Sequence, residues 1–153
     1  METDPRTALV LEQYKSLVAD VGNVGTRYAT ANGFYVSVVT LLLGVMAYAG
    51  AGKALDEVSY PVLFIVAVFA VAVCWIWRKT VVFYGHLFAG KFEVLKTLEK
   101  ELPVPVYALE HKAVYLERSA EPLTKNEAKV PLFMAWFFGL VALLSLALAY
   151  LTF

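Results

Sequence analysis

Uncharged residues run along this chain in three long blocks, each about the length of a membrane-spanning helix. The first block has 25 residues between Arg27 and Lys53, and the second has 20 between Glu57 and Arg78. The third comprises the 24 residues that follow Lys129. Because an apolar helix of roughly 20 residues spans the hydrocarbon layer of a bilayer, the pattern predicts three transmembrane helices.

Ahead of the first block, apolar side chains recur at alternating steps of four and three residues. This 3.5-residue repeat predicts a helix with one packing stripe. Asp4-Pro5 is typical of a helix start. No proline follows before the first loop, so we expect one long helix or two collinear helices over residues 5–51, with a bend allowed at Gly22 or Gly25. The stripe consists of Val10, Tyr14, Leu17, Val21, Val24, Tyr28 and Ala31.

A second amphipathic pattern follows the second block. Tryptophans 75 and 77 stand just before Arg78 and Lys79, which is typical of a helix leaving the membrane on its cytoplasmic side. No helix breaker comes before Pro103, so the helix is predicted to run from residue 61 to residue 102. Its apolar positions beyond the membrane include Tyr84, Leu87, Phe88, Phe92, Leu95, Leu98 and Leu102.

The chain must then return to the membrane for the third block. Pro103 and Pro105 predict the end of the helix and a short return helix after it. Thr124 and Glu127 have the spacing of a capping box. Pro131 predicts either a kink or a restart of the helix that enters the third block.

Positive charge predicts the orientation. Residues 1–32 hold three Lys and Arg, residues 78–130 hold nine, and the short loop 52–60 holds one. Short segments rich in Lys and Arg stay in the cytoplasm. We therefore expect the N-terminus inside and the C-terminal Phe153 outside.

The predicted fold class is an all-α integral membrane protein that assembles as a homo-oligomeric ring. Three transmembrane helices carry long helical cytoplasmic extensions. The predicted segments are a cytoplasmic N-terminal helix 1–32, transmembrane helix 33–51, external loop 52–60, transmembrane helix 61–78, cytoplasmic amphipathic helix 79–103, cytoplasmic return segment 104–130 and transmembrane helix 131–153.

Small residues line one face of the first transmembrane helix. In membranes such a face lets helices approach closely and hydrogen-bond. The face therefore predicts a packing seam between helices or subunits, or else a narrow, mildly polar lining around a central axis. Its members are Gly33, Ser37, Thr40, Gly44, Ala47 and Ala51.

Residues that could support catalysis or cofactor binding are sparse. His86 and His111 are separated by 24 residues and a proline pair, so we expect no metal site, and the single cysteine, Cys74, is expected to fill space between helices. No ionisable residue lies in any uncharged block, which argues against a proton relay. We expect no enzyme activity and no cofactor. Residues 78–130 are nearly neutral, so no nucleic-acid partner is expected.

Two long apolar stripes beyond the membrane predict self-association, because such stripes require cover from each other or from copies of the chain. The alternating charges from Lys91 to Glu101 fit a solvated helix face or pairing between subunits. The stripe positions predicted to form a cytoplasmic subunit interface are Tyr14, Leu17, Val21, Val24, Tyr28, Tyr84, Phe88, Phe92, Leu95, Leu98 and Leu102.

Several short motifs follow one another in an order that resembles a known family. They are Leu11-Glu12-Gln13-Tyr14-Lys15, a membrane hairpin ending near Trp77, Tyr84-x-x-Leu87, Lys91-Phe92-x-Val94-Leu95, Leu98-Glu99, Leu102-Pro103, Glu110, and Pro122-Leu123-Thr124-Lys125-x-Glu127. The chain thus resembles the RipA-type small octameric membrane proteins of bacteria. It differs at Phe88, where asparagine is expected, and at His111, where tryptophan is expected.

This resemblance implies a ring of eight identical subunits in the inner membrane. A looser similarity, to octameric pore-forming proteins beside RNA-guided defence systems, implies a gated pore or a membrane-perturbing effector in stress or defence. The alternative is a non-conducting, membrane-anchored scaffold that recruits a cytosolic partner through residues 79–130. The expected partners are therefore the chain itself, membrane lipids and, in the alternative, a cytosolic protein.

Overall fold

The fold is all-α. A computed structural model describes residues 5–51, 59–117 and 123–152. Five α-helices and one π-helical segment cover nearly all of these residues. They are α1 (Pro5–Ala51), α2 (Ser59–Glu99), α3 (Val106–His111), the π-helical segment Lys112–Glu117, α4 (Leu123–Glu127) and α5 (Lys129–Thr152).

Helix α1 is a single continuous helix, as its uninterrupted heptad pattern predicts. It has 47 residues, or roughly 70 Å at 1.5 Å per residue. The helix passes through Gly22 and Gly25 without a break. Val10 and Val24 of the predicted stripe are buried, so the stripe packs within the chain.

Helix α2 begins two residues earlier and ends three residues earlier than predicted. The Leu102 N–H donates to the Glu99 carbonyl over 3.1 Å, which closes the helix with a tighter three-residue turn. Pro103 has no N–H to bond that carbonyl in the α-helical pattern. The helix therefore ends at Glu99 rather than at Leu102.

The return segment contains α3, the π-helical segment and α4. The short helix predicted after the two prolines is present as α3. The predicted capping box is wrong, because Thr124 lies inside α4 rather than before it. Its side chain packs against Gly85 instead: a Cβ at Gly85 would lie 3.0 Å from the Thr124 Oγ1.

Pro131 is the third residue of α5 and is buried. A proline fits the first turn of a helix, where its missing N–H would have no partner. Residue 128 forms a turn between α4 and α5, so the chain restarts its helix here rather than kinking it. Asp4, loop residues 52–58, Pro122 and Phe153 lie outside the described residues.

The chain divides into two compact units. The first unit consists of Met1–Ala29 and Val82–Asn126, and the second of Thr30–Val81 and Glu127–Phe153. The first unit buries Val10, Val24, Leu95 and Glu99. Its core is therefore built from the two amphipathic extensions.

The second unit holds nearly all of the three uncharged blocks. On α2 the buried positions Ala67, Ala70 and Cys74 recur at steps of three and four, so this helix offers a strip of small side chains for packing. Cys74 is fully buried there, as expected of a residue that fills space. The Trp77 indole donates to the Asn32 amide oxygen and stacks on the Tyr35 ring, joining α1 to α2.

Three helices among the described residues are long and apolar enough to cross a membrane. Their candidate spans lie within Pro5–Ala49, Tyr60–Glu99 and Thr124–Leu151. The predicted all-α fold is therefore confirmed, with three helices long and apolar enough to span a membrane. The orientation and the ring stay predictions.

Candidate functional site

The small-residue face of α1 is uncovered within the chain. The described side chains of this face, from Gly33 to Ala47, are exposed. Nothing lies within 4 Å of the position that a Cβ would occupy at Gly33 or Gly44. For Ala51, the structure describes only the backbone. The helices that the structure describes therefore do not use this face for packing.

The packing face of the same helix lies on its other side. Val39 and Met46 are buried, and Tyr35 contacts α2 through its ring and through a 3.2 Å hydrogen bond with the Thr80 hydroxyl. At 100° per residue, these positions centre roughly 140° around the helix from the small-residue face. Within the second unit, one face of α1 thus packs against the chain's own residues, and the opposite face is uncovered.

An open concavity of about 710 Å³ runs along the uncovered face. The Ser37 hydroxyl within it donates to the Gly33 carbonyl over 2.9 Å, so this polar group is satisfied by its own helix. A hydroxyl held in this way can face either an apolar neighbour or water. The lining residues are Val36, Ser37, Thr40, Leu41, Gly44, Val45 and Tyr48.

The side chains of this face offer contact surface rather than catalytic groups. Gly33, Ser37, Thr40, Gly44 and Ala47 carry hydroxyl or small apolar groups, and none of these five is an acid, a base or a thiol. Across residues 5–51, 59–117 and 123–152, no group of three or more His, Cys, Asp and Glu side chains could hold a metal ion.

The two amphipathic stripes contact each other within the first unit. Tyr28 of α1 lies 5.3 Å from the Tyr84 ring and meets Phe88 edge-to-face at 6.1 Å. Farther along, Phe92 and Tyr14 both contact the ring of Tyr107. The subunit-interface role predicted for this set stays a prediction, but much of its apolar surface is already covered inside one chain.

Phe88 and His111 are the two departures from the motif pattern. The Phe88 ring contacts Tyr28 of α1 edge-to-face and stacks on Phe92 of its own helix. A phenyl ring here packs where an asparagine would need a polar partner. His111 is half-buried at the end of α3.

Glu99 is the most deeply buried charged residue of the described chain, with 1% of its surface exposed. Its carboxylate accepts the Tyr14 hydroxyl at 3.1 Å and the backbone N–H groups of Tyr107 and Ala108 at 2.7 and 3.0 Å. We call Glu99 and these three donors the Glu99 cluster. It joins α1, the end of α2 and the start of α3.

The environment of Tyr14 reflects this contact. Burial, the hydrogen bond to Glu99 and the negative charge of that carboxylate raise the pKa of Tyr14 to about 12. The phenol therefore stays protonated and keeps donating to Glu99 across the neutral range.

The alternating charges from Lys91 to Glu101 form a solvated face only in part. Lys91 pairs with Asp20 of α1, and Glu101 pairs with Arg6 at 3.2 Å. Glu99 is buried, which makes a solvated position wrong for that residue. Glu93 and Lys96 do not pair with each other among the described residues.

The remaining motif residues lie mainly in the first unit. Tyr84, Leu87, Lys91 and Phe92 are half-buried on α2, and Pro103 and Glu110 are exposed. Thr124 is half-buried against Gly85. Glu127 is half-buried at the end of α4 and falls in the second unit, and Pro122 lies outside the described residues.

Three features of the structure were not predicted from the sequence: the Asp20–Lys91 pair, the Asn32–Trp77 hydrogen bond, and the role of Tyr107. The second has a recognisable signal. Asn32 is a half-buried polar residue inside the first uncharged block, and a polar group in such a place needs a specific partner.

Comparison with known proteins agrees with this architecture. No curated protein and no solved structure matches the chain. A family model described as the octameric membrane protein family (8xMP) matches residues 11–147, which include the core of all three candidate spans. Since the match covers most of the chain, this protein belongs to the octameric membrane protein family.

Proposed function

We propose that the chain forms a homo-octamer in the cytoplasmic membrane of a bacterium and acts there as a gated pore or a membrane-perturbing effector in stress or defence. Membership of the octameric membrane protein family supports self-association into octamers. In this proposal the protein is not an enzyme, and its activity is a change in membrane permeability.

The observation that carries the proposal is the uncovered small-residue face of α1. Gly33 and Gly44 have open space beside them, whereas the packing face of the same helix is filled by its own chain. Small residues favour close helix approach in a membrane. In an octamer, this face would contact a neighbouring copy or line the central axis.

Exposed serine and threonine hydroxyls distinguish α1 from α5, whose Ser145 is buried, and they support placing α1 nearer the axis. Helix α5 exposes Phe133, Trp136, Leu143 and Leu151. Large apolar side chains are favoured in contact with lipid acyl chains. The Ser37 and Thr40 hydroxyls of α1 suit a hydrated lining instead.

The first experiment measures size and permeability together. The purified full chain should have a particle mass of about eight times 16.9 kDa, and proteoliposomes containing it should release a trapped ion. A particle of one or two chains would reject the octamer. An octamer that passes no ion at any voltage would reject the pore.

The Gly44→Leu variant tests whether the small-residue face is used. Nothing in the chain lies near a Cβ at Gly44, so the protomer itself should fold normally. Leucine should nevertheless block a close neighbour or narrow the axis, and thus reduce particle mass or ion flux. Gly90→Leu is the matched control, because Gly90 is also helical, exposed and without near neighbours. Equal behaviour of the two variants would contradict the assignment.

A second candidate function is a non-conducting scaffold for a cytosolic partner. It is favoured by apolar side chains exposed at the elbow of the first unit, namely Val104, Val106 and Leu109. An exposed apolar patch outside the spans is typical of a protein-binding surface. In this case Leu109→Asp should abolish the capture of one defined protein, while wild-type proteoliposomes stay impermeable.

A further inference from the structure

Two cations share one indole ring on α2 at the end of its uncharged block. The Arg78 Cζ lies 5.9 Å from the centroid of the Trp75 ring, and the Lys79 Nζ lies 5.8 Å from it. Steps of three and four residues along a helix place both side chains next to the tryptophan. A cation within about 6 Å of an aromatic face is attracted to it. The ring thus holds two like charges close together.

Neither cation has an anionic partner among the described residues. The Arg78 Nε is buried and has no hydrogen-bond partner there. Lys15 and Lys91, by contrast, each pair with a carboxylate. A buried donor without an acceptor is costly. An anion that reaches both side chains would supply the missing acceptor.

The surface beside these cations selects the kind of anion. Val68, Ala72 and Trp75 follow one exposed line of α2, with Lys79 at its end. At 100° per residue, these four positions lie within about 60° of one another. This line is apolar up to Lys79 and exposed. An acyl chain gains contact with such a line, whereas a water-soluble anion gains none.

We propose that Trp75, Arg78 and Lys79 bind the phosphate of a phospholipid with net negative charge, and that one acyl chain of this lipid lies along Ala72 and Val68. The tryptophan orients the two cations, which donate hydrogen bonds to the phosphate oxygens. The proposal rests only on α2 spanning the membrane. It holds whether or not the assembly conducts ions.

Native mass spectrometry of the delipidated full chain in detergent tests the site, with dioleoyl phosphatidylglycerol and dioleoyl phosphatidylcholine as probes. The wild type should retain phosphatidylglycerol in preference to phosphatidylcholine. Arg78→Gln/Lys79→Gln should weaken phosphatidylglycerol binding about thirtyfold, since each basic residue near an anionic surface contributes about five- to sixfold. Lys100→Gln/Lys112→Gln, which removes two exposed cations from the first unit, should change binding less than twofold.

Ala72→Phe tests the acyl-chain contact without altering a charge. It should weaken binding of phosphatidylglycerol while Arg78 and Lys79 remain. If the double variant does not fold, Lys79→Gln alone, at an exposed position, should still weaken binding about fivefold.

Three results would overturn the proposal. The first is equal retention of phosphatidylglycerol by the wild type and the Lys79→Gln variant. The second is equal retention of the two lipids by the wild type. The third is displacement of phosphatidylglycerol by millimolar inorganic phosphate together with unchanged binding in Ala72→Phe, which would identify a site for a free phosphate.

Discussion

At the residue scale, Glu99 illustrates that helical spacing can indicate burial of a side chain but not its hydrogen-bond partners. Phe88, Phe92, Leu95, Glu99 and Leu102 follow one another at steps of four and three residues. Glu99 therefore shares the spacing of buried apolar positions, a signal that the prediction of a solvated charge run from Lys91 to Glu101 missed. Its partners were not predictable, because two of them are backbone N–H groups beyond a proline elbow, whose path no periodic pattern defines.

Removing the Glu99 carboxylate should destabilise the first unit strongly. In Glu99→Ala the Tyr14 hydroxyl and two backbone N–H groups lose their acceptor, which costs about 2–3 kcal/mol of unfolding free energy. Thermal unfolding in detergent measures the loss. Glu93→Ala, at an exposed position of the same helix, should change stability by less than about 0.5 kcal/mol. Equal losses in the two variants would show that the cluster does not stabilise the fold.

Tyr14 should make stability sensitive to alkaline pH. Its pKa is raised from 10.0 to about 12 in the folded protein, so the folded state holds the phenol proton more tightly than the unfolded state. The stabilising contribution is complete below pH 10 and is lost as the pH rises from 10 to 12. Tyr14→Phe should therefore lose stability at neutral pH and show a shallower decline between pH 10 and 12.

Tyr84→Phe is the control for this titration. The Tyr84 ring packs on Tyr28, and its hydroxyl is not part of the Glu99 cluster. This variant should keep the wild-type slope between pH 10 and 12. A Tyr14→Phe variant with that same slope would contradict the link between the phenol and Glu99.

At the element scale, periodicity predicted the long helices and missed the details of the return segment. The heptad of α1 and the absence of proline predict one helix, and the structure has one. The Thr124–Glu127 spacing suggested a cap, but spacing does not reveal that Gly85 of α2 leaves room for the threonine side chain. Such a contact depends on how two distant segments meet.

The Gly85–Thr124 contact should be sensitive to side-chain size. A Cβ at Gly85 would lie 3.0 Å from the Thr124 Oγ1 and 3.4 Å from its Cβ. Gly85→Val adds two further methyl groups, so it should displace α4 and destabilise the first unit by about 1–3 kcal/mol. Limited proteolysis of residues 112–126 should become faster in this variant.

Gly90→Val provides the comparison for Gly85→Val. Gly90 lies on the same helix, and a Cβ there would meet nothing within 4 Å. The same β-branched residue is introduced in both variants, so a difference between them reports the contact rather than helix propensity. Equal proteolysis rates would mean that α4 does not depend on Gly85.

At the scale of the whole molecule, the residues indicate an assembly without giving its copy number. The uncharged blocks predict three spans, and the described residues form three helices long and apolar enough to cross a membrane. The small-residue face of α1 has open space beside Gly33 and Gly44. The number eight comes from membership of the family. It depends on the angle between adjacent copies, which no single chain defines.

The distribution of positive charge predicts how the chain is oriented in the membrane. Twelve of the 13 Lys and Arg residues belong to segments 1–32 and 78–130, and short segments rich in such residues stay in the cytoplasm. An impermeant maleimide added to sealed spheroplasts should label Tyr150→Cys at once, and Lys100→Cys only after permeabilisation. Both positions are exposed, and the native Cys74 is fully buried and should give little background. Labelling of Lys100→Cys in sealed spheroplasts would place the first unit outside the cell, where it could not meet a cytosolic partner.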